Sequence, residues 1–213
     1  MGESSTTARG VIGRARDFVT GRPTSQKVGG GVAAALLATA PFGGLSRVPE
    51  PAPDPIRLGE PIEIGPYRVT IDQVVELPDL EPAVRPGPDQ RVIVLDATVK
   101  NTSDRPDYAV LLLDQLSISG GGTVTDDNKD GASDDPTAVV VADATRVSVV
   151  NPGVEYRLAL TFVTEGPWDG DTVTVRANRL EFVAEDPLTL DNDTWRDRGG
   201  TPYEGALALK RRS

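Results

Sequence analysis

The 213-residue chain has no cysteine and no histidine. It therefore has no Ser-His-Asp or Cys-His nucleophile pair, no zinc site of the Cys/His kind, no thiolate-held iron-sulfur cluster and no disulfide. Any hydrolytic chemistry would fall to carboxylates, lysine or tyrosine. Aromatic residues make up only 5% of the chain and lysines number four, Lys27, Lys100, Lys129 and Lys210. Long charge-free stretches are also scarce, and the one clear example lies near the N-terminus.

Twenty-two glycines and 18 prolines stand against that low aromatic content, a balance that favours turn-rich β structure and linkers over a helical bundle. The hydrophobic share of 38% fills one core, so one domain with appendages is expected. The formal charge is -10. A body this acidic repels nucleic acid, and no basic patch in it suggests DNA or RNA as a partner.

The charge is unevenly placed. Residues 1–27 carry Arg9, Arg14, Arg16, Arg22 and Lys27 against Glu3 and Asp17, a net +3 that leaves -13 for the remainder. Val11, Ile12, Ala15, Phe18 and Val19 in this stretch fit either a short basic amphipathic helix on an anionic inner leaflet or a disordered arm. Residues 28–46, VGGGVAAALLATAPFGGLS, are free of charge. At 19 residues they are just long enough for a helix to cross a hydrocarbon core of about 30 Å. Glycines and Pro41 dilute the apolar heart, Val32 to Ala40. Three readings follow: a cleaved signal peptide with an Ala38-Thr39-Ala40 exit, an uncleaved anchor, or a Gly/Ala-rich tail on a cytosolic protein. Pro41 directly after the small-residue exit and the long basic arm favour the uncleaved transmembrane anchor. The positive-inside rule then places the N-terminus in the cytoplasm and the rest outside the cell. Proline at every second position from Pro49 to Pro55 marks residues 47–55 as a stiff polyproline spacer.

From residue 56 to 213 the hydrophobic pattern has period two. Tyr67, Val69, Ile71, Val75 and Leu77 are expected on one face of a strand, and Tyr156, Leu158, Leu160 and Phe162 on one face of another. Further β-rich runs cover residues 56–64, 91–100, 111–119, 139–150, 172–183 and 205–210. The spacing predicts an all-β, immunoglobulin-like antiparallel β-sandwich of seven to eight strands, preceded by the N-terminal membrane-anchor helix and the Pro-rich linker. Arg211 and Arg212 are expected in a solvated tail.

The runs Leu58-Gly59-Glu60-Pro61, Ile64-Gly65-Pro66-Tyr67 and Val92 to Asp104, with its Asn101-Thr102-Ser103 turn, are followed by Asn151-Pro152-Gly153 opening a strand. Together they resemble the DUF4352 (telokin-like, immunoglobulin-like) group of bacterial surface domains, which is similar in fold to secreted mycobacterial antigens of the MPT63 type. The resemblance spans roughly residues 56–183 and implies an extracytoplasmic domain without assigned activity. This chain departs from the group in lacking a lipobox cysteine and in carrying an acidic insertion and a C-terminal extension with Trp195.

The acidic insertion runs from Asp126 to Asp135. Asp126, Asn128 and Asp130, with Gly131 behind them, form D-x-N-x-D-G, the first half of a calcium loop in which oxygen ligands at alternate positions converge. The Ala132 carbonyl, Asp134 and Asp135 would complete the shell. Thr137 stands where an EF-hand has its bidentate Glu, so the loop is closer to the shorter extracellular calcium motifs, with calcium as the one cofactor in view. The alternative is a solvated hairpin loop, since Asp, Asn and Gly make turns for their own reasons.

No carboxylate pair can be nominated for glycoside chemistry. Trp168 and Trp195 are candidates either for sugar stacking or for capping the core. The functional expectation is a non-catalytic, membrane-tethered extracytoplasmic domain that binds another envelope or surface protein. The alternatives are a calcium-dependent carbohydrate-binding module of the envelope and an acidic cytosolic domain.

Overall fold

A computed structural model describes residues 51–124, 136–185 and 192–212. The basic arm, the apolar segment 28–46 and the acidic loop 126–135 lie outside the described residues. Among the described residues no helix is long and apolar enough to cross a membrane.

The described chain is nearly all β. Its strands are β1 (Asp54–Pro55), β2 (Pro61–Ile64), β3 (Tyr67–Leu77), β4 (Arg91–Asn101), β5 (Asp107–Tyr108), β6 (Leu116–Ser119), β7 (Thr137–Val140), β8 (Val149–Val150), β9 (Glu155–Thr164), β10 (Thr172–Ala177), β11 (Leu180–Glu185), β12 (Asn192–Asp197) and β13 (Tyr203–Arg211), with one short helix, α1 (Ala109–Leu113). Hydrogen bonding runs in the order β6-β10-β13-β3-β4-β9-β7. β13 makes the corner of the sandwich. Its first part, Tyr203 to Ala208, pairs with β10, and its last three residues pair with Val74 to Glu76 of β3. A strand that changes partners along its length in this way joins two sheets around one core.

Between the sheets lies that core. Val69, Ile71, Ile93, Leu95, Leu158, Leu160 and Phe162 from one layer meet Leu116, Ile118, Val173, Val175 and Leu207 from the other. Each fully buried Leu, Ile or Phe contributes on the order of 1.5–3 kcal/mol. Trp168, 2% exposed, closes one end of the core. Its indole N–H donates to the Thr172 carbonyl at 2.9 Å, which meets the polar demand that a buried Trp brings.

The architecture corrects several expectations. Thirteen strands are present among the described residues where seven to eight were expected, because the runs at 139–150 and 172–183 each break into two and β1, β5 and β12 lie outside every expected run. The pairings β1–β13 and β13–β3 are parallel, since both join segments remote in sequence that no hairpin constrains. Within the run at 111–119, α1 takes the first part, burying Ala109, Leu112 and Leu113 at helical spacing. Asp54 and Pro55, read as spacer, are held in the sheet, with the Asp54 N–H donating to the Pro202 carbonyl at 2.9 Å.

The largest correction concerns β3. Tyr67, Val69 and Ile71 face the core as the alternation predicts, but a β-bulge at Asp72 adds one residue to the strand, so that Ile71 is level with Ala97 and Gln73 with Asp96. One extra residue exchanges the two faces of everything beyond it. Val74 therefore enters the core, while Gln73, Val75 and Leu77 turn to the opposite face. Arg211 is no solvated tail either. Its guanidinium pairs with Glu76 at 3.2 Å and Asp171 at 3.0 Å and donates to the Trp168 carbonyl at 3.1 Å. Glu76, 6% exposed, also accepts the Trp168 backbone N–H at 2.8 Å, so both of its oxygens are engaged.

Candidate binding site

The inverted half of β3 builds a second, smaller apolar surface on the outer face of the sheet. Val92 and Val94 of β4, Val139 of β7, and Ala159 and Val163 of β9 cluster there with Ala83 and Val84 of the β3–β4 connection, and Leu77 and Leu80 pack against them. Alternation explains the set. On β4 the core takes Ile93, Leu95, Ala97 and Val99, leaving Val92, Val94 and Asp96 to the outer face. Two flanking segments wall this surface. The β3–β4 connection stands on one side, closed by a Leu80–Val84 bridge. On the other side, the turn after β7 folds back so that Val147 N–H donates to the Ala138 carbonyl at 2.8 Å. Arg146 ties the two walls, donating to the Ala83 carbonyl at 2.6 Å.

Between the walls is a hollow of about 170 Å³ with Val75, Val94, Val139 and Ala159 in its lining and Gln73, Asp96 and Arg212 as its polar members. Asp96 is buried. Its carboxylate accepts two hydrogen bonds from Arg157, at 3.0 and 2.8 Å, and one from Gln73 at 2.8 Å. The Arg157 hydrogen bond, foremost, with help from Gln73 and the charges of Arg157 and Arg212, holds the Asp96 carboxyl below the usual aspartate range despite its burial. The same bond raises the Arg157 guanidinium above its ordinary value. Lys210 donates to Gln73 Oε1 at 3.1 Å. A carboxylate so fully occupied and held ionised serves as a fixed anchor, and is poorly suited to carrying a proton.

A second hollow, about 430 Å³ and shallower, adjoins the first and shares Leu77 and Arg212 with it. Pro78, Pro167, Glu76, Arg91 and Arg211 complete its lining. Arg211 is committed to Glu76 and Asp171. Arg91 donates to the Gln90 carbonyl at 2.8 Å. Among the described residues neither Arg91 nor Arg212 is ion-paired with a carboxylate. The notch thus holds three arginines against one engaged glutamate.

The residues singled out as a calcium loop, Asp126, Asn128, Asp130, Ala132, Asp134 and Asp135, lie outside the described residues. Among the described residues no group of acidic side chains is arranged to hold a metal ion. The stems of that loop are visible: Val124 bridges Thr164, and Thr137 pairs with Thr161. Trp168 offers no open face for a sugar. Trp195 is partly buried, with its ring edge-on to Phe182 at a centroid distance of 5.3 Å. Sequence reasoning missed the outer-face site, because its members are contributed by a bulge and by strand ends remote in sequence. The one signal was β4, whose unbroken apolar run from Val92 to Leu95 puts apolar residues on both faces of the strand.

No protein-family model matches the chain significantly, and neither does any curated protein. A solved structure that it resembles is an uncharacterized beta-sandwich protein from Clostridium difficile, with 15% identity over 75% of this chain and 97% of that one, and a TM-score of 0.44.

Proposed function

We propose that this chain is a non-catalytic binding module: an immunoglobulin-like domain of the DUF4352 kind, tethered to a bacterial membrane through residues 28–46 with its N-terminus in the cytoplasm. It is held off the surface by the proline-rich spacer and contacts another envelope or surface protein. The observation that carries the binding part of this reading is the paired site on the outer sheet face, an apolar hollow opening beside unpaired arginines. A hollow of that kind with few convergent polar groups is the usual form of a recognition site. The absence of histidine and cysteine from the sequence, and the full engagement of Asp96 and Glu76, leave binding as the simplest use of the site.

Protease shaving of intact cells combined with site-specific photo-cross-linking tests the reading. A cross-linker at Val141, which is 48% exposed and borders the hollow, is expected to trap a discrete envelope protein, and the body is expected to be cut by external protease. A protease-protected chain would defeat the tether, and cross-links no more specific than those from a distant surface position would defeat the binding role.

A further inference from the structure

Resting on that reading, we infer that the partner presents an extended acidic segment, with one apolar side chain seated in the hollow and a neighbouring carboxylate on the arginine notch. Size and charge support this. A cavity on the order of 150 Å³ accepts a single benzene ring, so the hollow of about 170 Å³ matches one Phe- or Leu-sized side chain. It is small against the roughly 300–1,000 Å³ of sites that enclose whole small molecules.

The notch next to it has the opposite character. Arg91, Arg211 and Arg212 stand against Glu76 and the Asp171 that pairs with Arg211, a local net of +1 in a body that carries -13 outside residues 1–27. Such an inversion of sign focuses potential and draws anions, and guanidinium groups without a carboxylate partner, as on Arg91 and Arg212, are suited to grip carboxylates. Leu77 and Arg212 belong to both hollows. An extended chain sends alternate side chains to the same side about 6.6 Å apart. An apolar residue followed two positions later by Asp or Glu would thus address the two hollows in turn, across the Leu77 ridge. A peptide of the reverse charge would meet Arg212 and Arg91 as repulsion.

The test uses the full chain and fluorescence polarisation with the capped, tagged pentapeptide EGFGE. Saturable binding is expected, with KGFGK and EGAGE weaker by roughly tenfold or more. The substitutions Arg212→Glu, at the junction of the two hollows, and Leu80→Glu, in the apolar one, should each remove it while thermal melting shows the fold retained. Arg91→Glu serves in place of either that melts early. No saturable binding, equal binding of KGFGK, or binding unchanged by both substitutions would overturn the inference. Saturation by 3-phenylpropionate where EGFGE fails would also overturn it, marking a site for small carboxylates. A discrete partner trapped at position 141 without EGFGE binding would reject the acidic segment and leave the binding module standing. If neither is seen, both fall.

Discussion

Gln73 donates to the Asp96 carboxylate at 2.8 Å and lies level with it across the β3–β4 pair, a register that exists because Asp72 lengthens β3 by one residue. With every residue of β3 kept and no bulge, Gln73 would point into the core, and Val75 and Leu77 would leave the outer face. The bulge therefore serves stability and the candidate site together. Deleting Asp72 removes only the extra residue, so Gln73 is expected to stay level with Asp96 and Val74 in the core. Denaturant unfolding should show the fold retained, and EGFGE binding should persist.

Asp96 and Asp107 are expected to respond to pH in opposite senses. Arg157 chiefly depresses the Asp96 carboxyl, so its stabilising contribution is present above the ordinary aspartate value and is lost as pH falls through its lower folded value. Burial chiefly raises the Asp107 carboxyl, so its contribution is full below the ordinary value and is lost as pH rises through the folded one. Melting at pH 7 should then show Asp96→Asn lowering Tm and Asp107→Asn leaving it unchanged or raising it. Both differences should shrink near pH 3.

Two glycines are fixed by backbone contacts. A Cβ on Gly205 would sit 2.3 Å from the Ile56 carbonyl oxygen, where β1 crosses β13, and one on Gly121 would sit 1.9 Å from the Asp169 carbonyl oxygen. Neither obstacle can rotate away, so each Gly→Ala change should cost about 3 kcal/mol. Gly59, with a φ of +77 and nothing near its Cβ position, should cost only about 1 kcal/mol on the same change. Chemical denaturation of the three variants distinguishes crowding from strain.

Asn101 is fully buried and fully used. Its amide N–H groups donate to the carbonyls of Arg105 and Val150 at 2.8 and 2.9 Å, and its oxygen accepts from the Ser103 N–H and hydroxyl at 2.9 and 2.7 Å. Asn101→Ala is expected to destabilise by about 3 kcal/mol, because it leaves two carbonyls and a turn without partners. Asn101→Asp is expected to give no rescue, because it sets a buried carboxylate oxygen against the Arg105 and Val150 carbonyl oxygens.

Truncation before Arg211 is expected to lower Tm more than Arg57→Ala, although both remove an ion pair. Arg57 and Glu60 are exposed, whereas Arg211 holds the buried Glu76 and the Trp168 carbonyl. Scanning calorimetry of both variants decides it.

The strands were legible where local physics governs. β9 reads correctly, since Leu158, Leu160 and Phe162 all reach the core. The Asn101-Thr102-Ser103 turn also stood out, although its long-range hydrogen bond to Val150 did not. What escaped was set by non-local pairing. Alternation alone cannot reveal an inserted residue, so the faces of Val75 and Leu77 were inverted. The parallel seat of β13 on β3 turned a presumed tail into the clamp on Glu76. α1 hid within a short apolar run that serves helix and strand equally well. The outer-face site inherits all of this, because a bulge, a strand end and a returning C-terminus have to meet before it exists.

The central claim, that the outer sheet face of this chain binds an envelope protein, is tested most directly by photo-cross-linking in intact cells from position 141, with Tyr108 as the control site. Tyr108 is 69% exposed and lines neither hollow. A discrete product from position 141 that is absent from position 108 and lost with Arg212→Glu is the expected result. The same products from both positions, indifferent to Arg212→Glu, would contradict it.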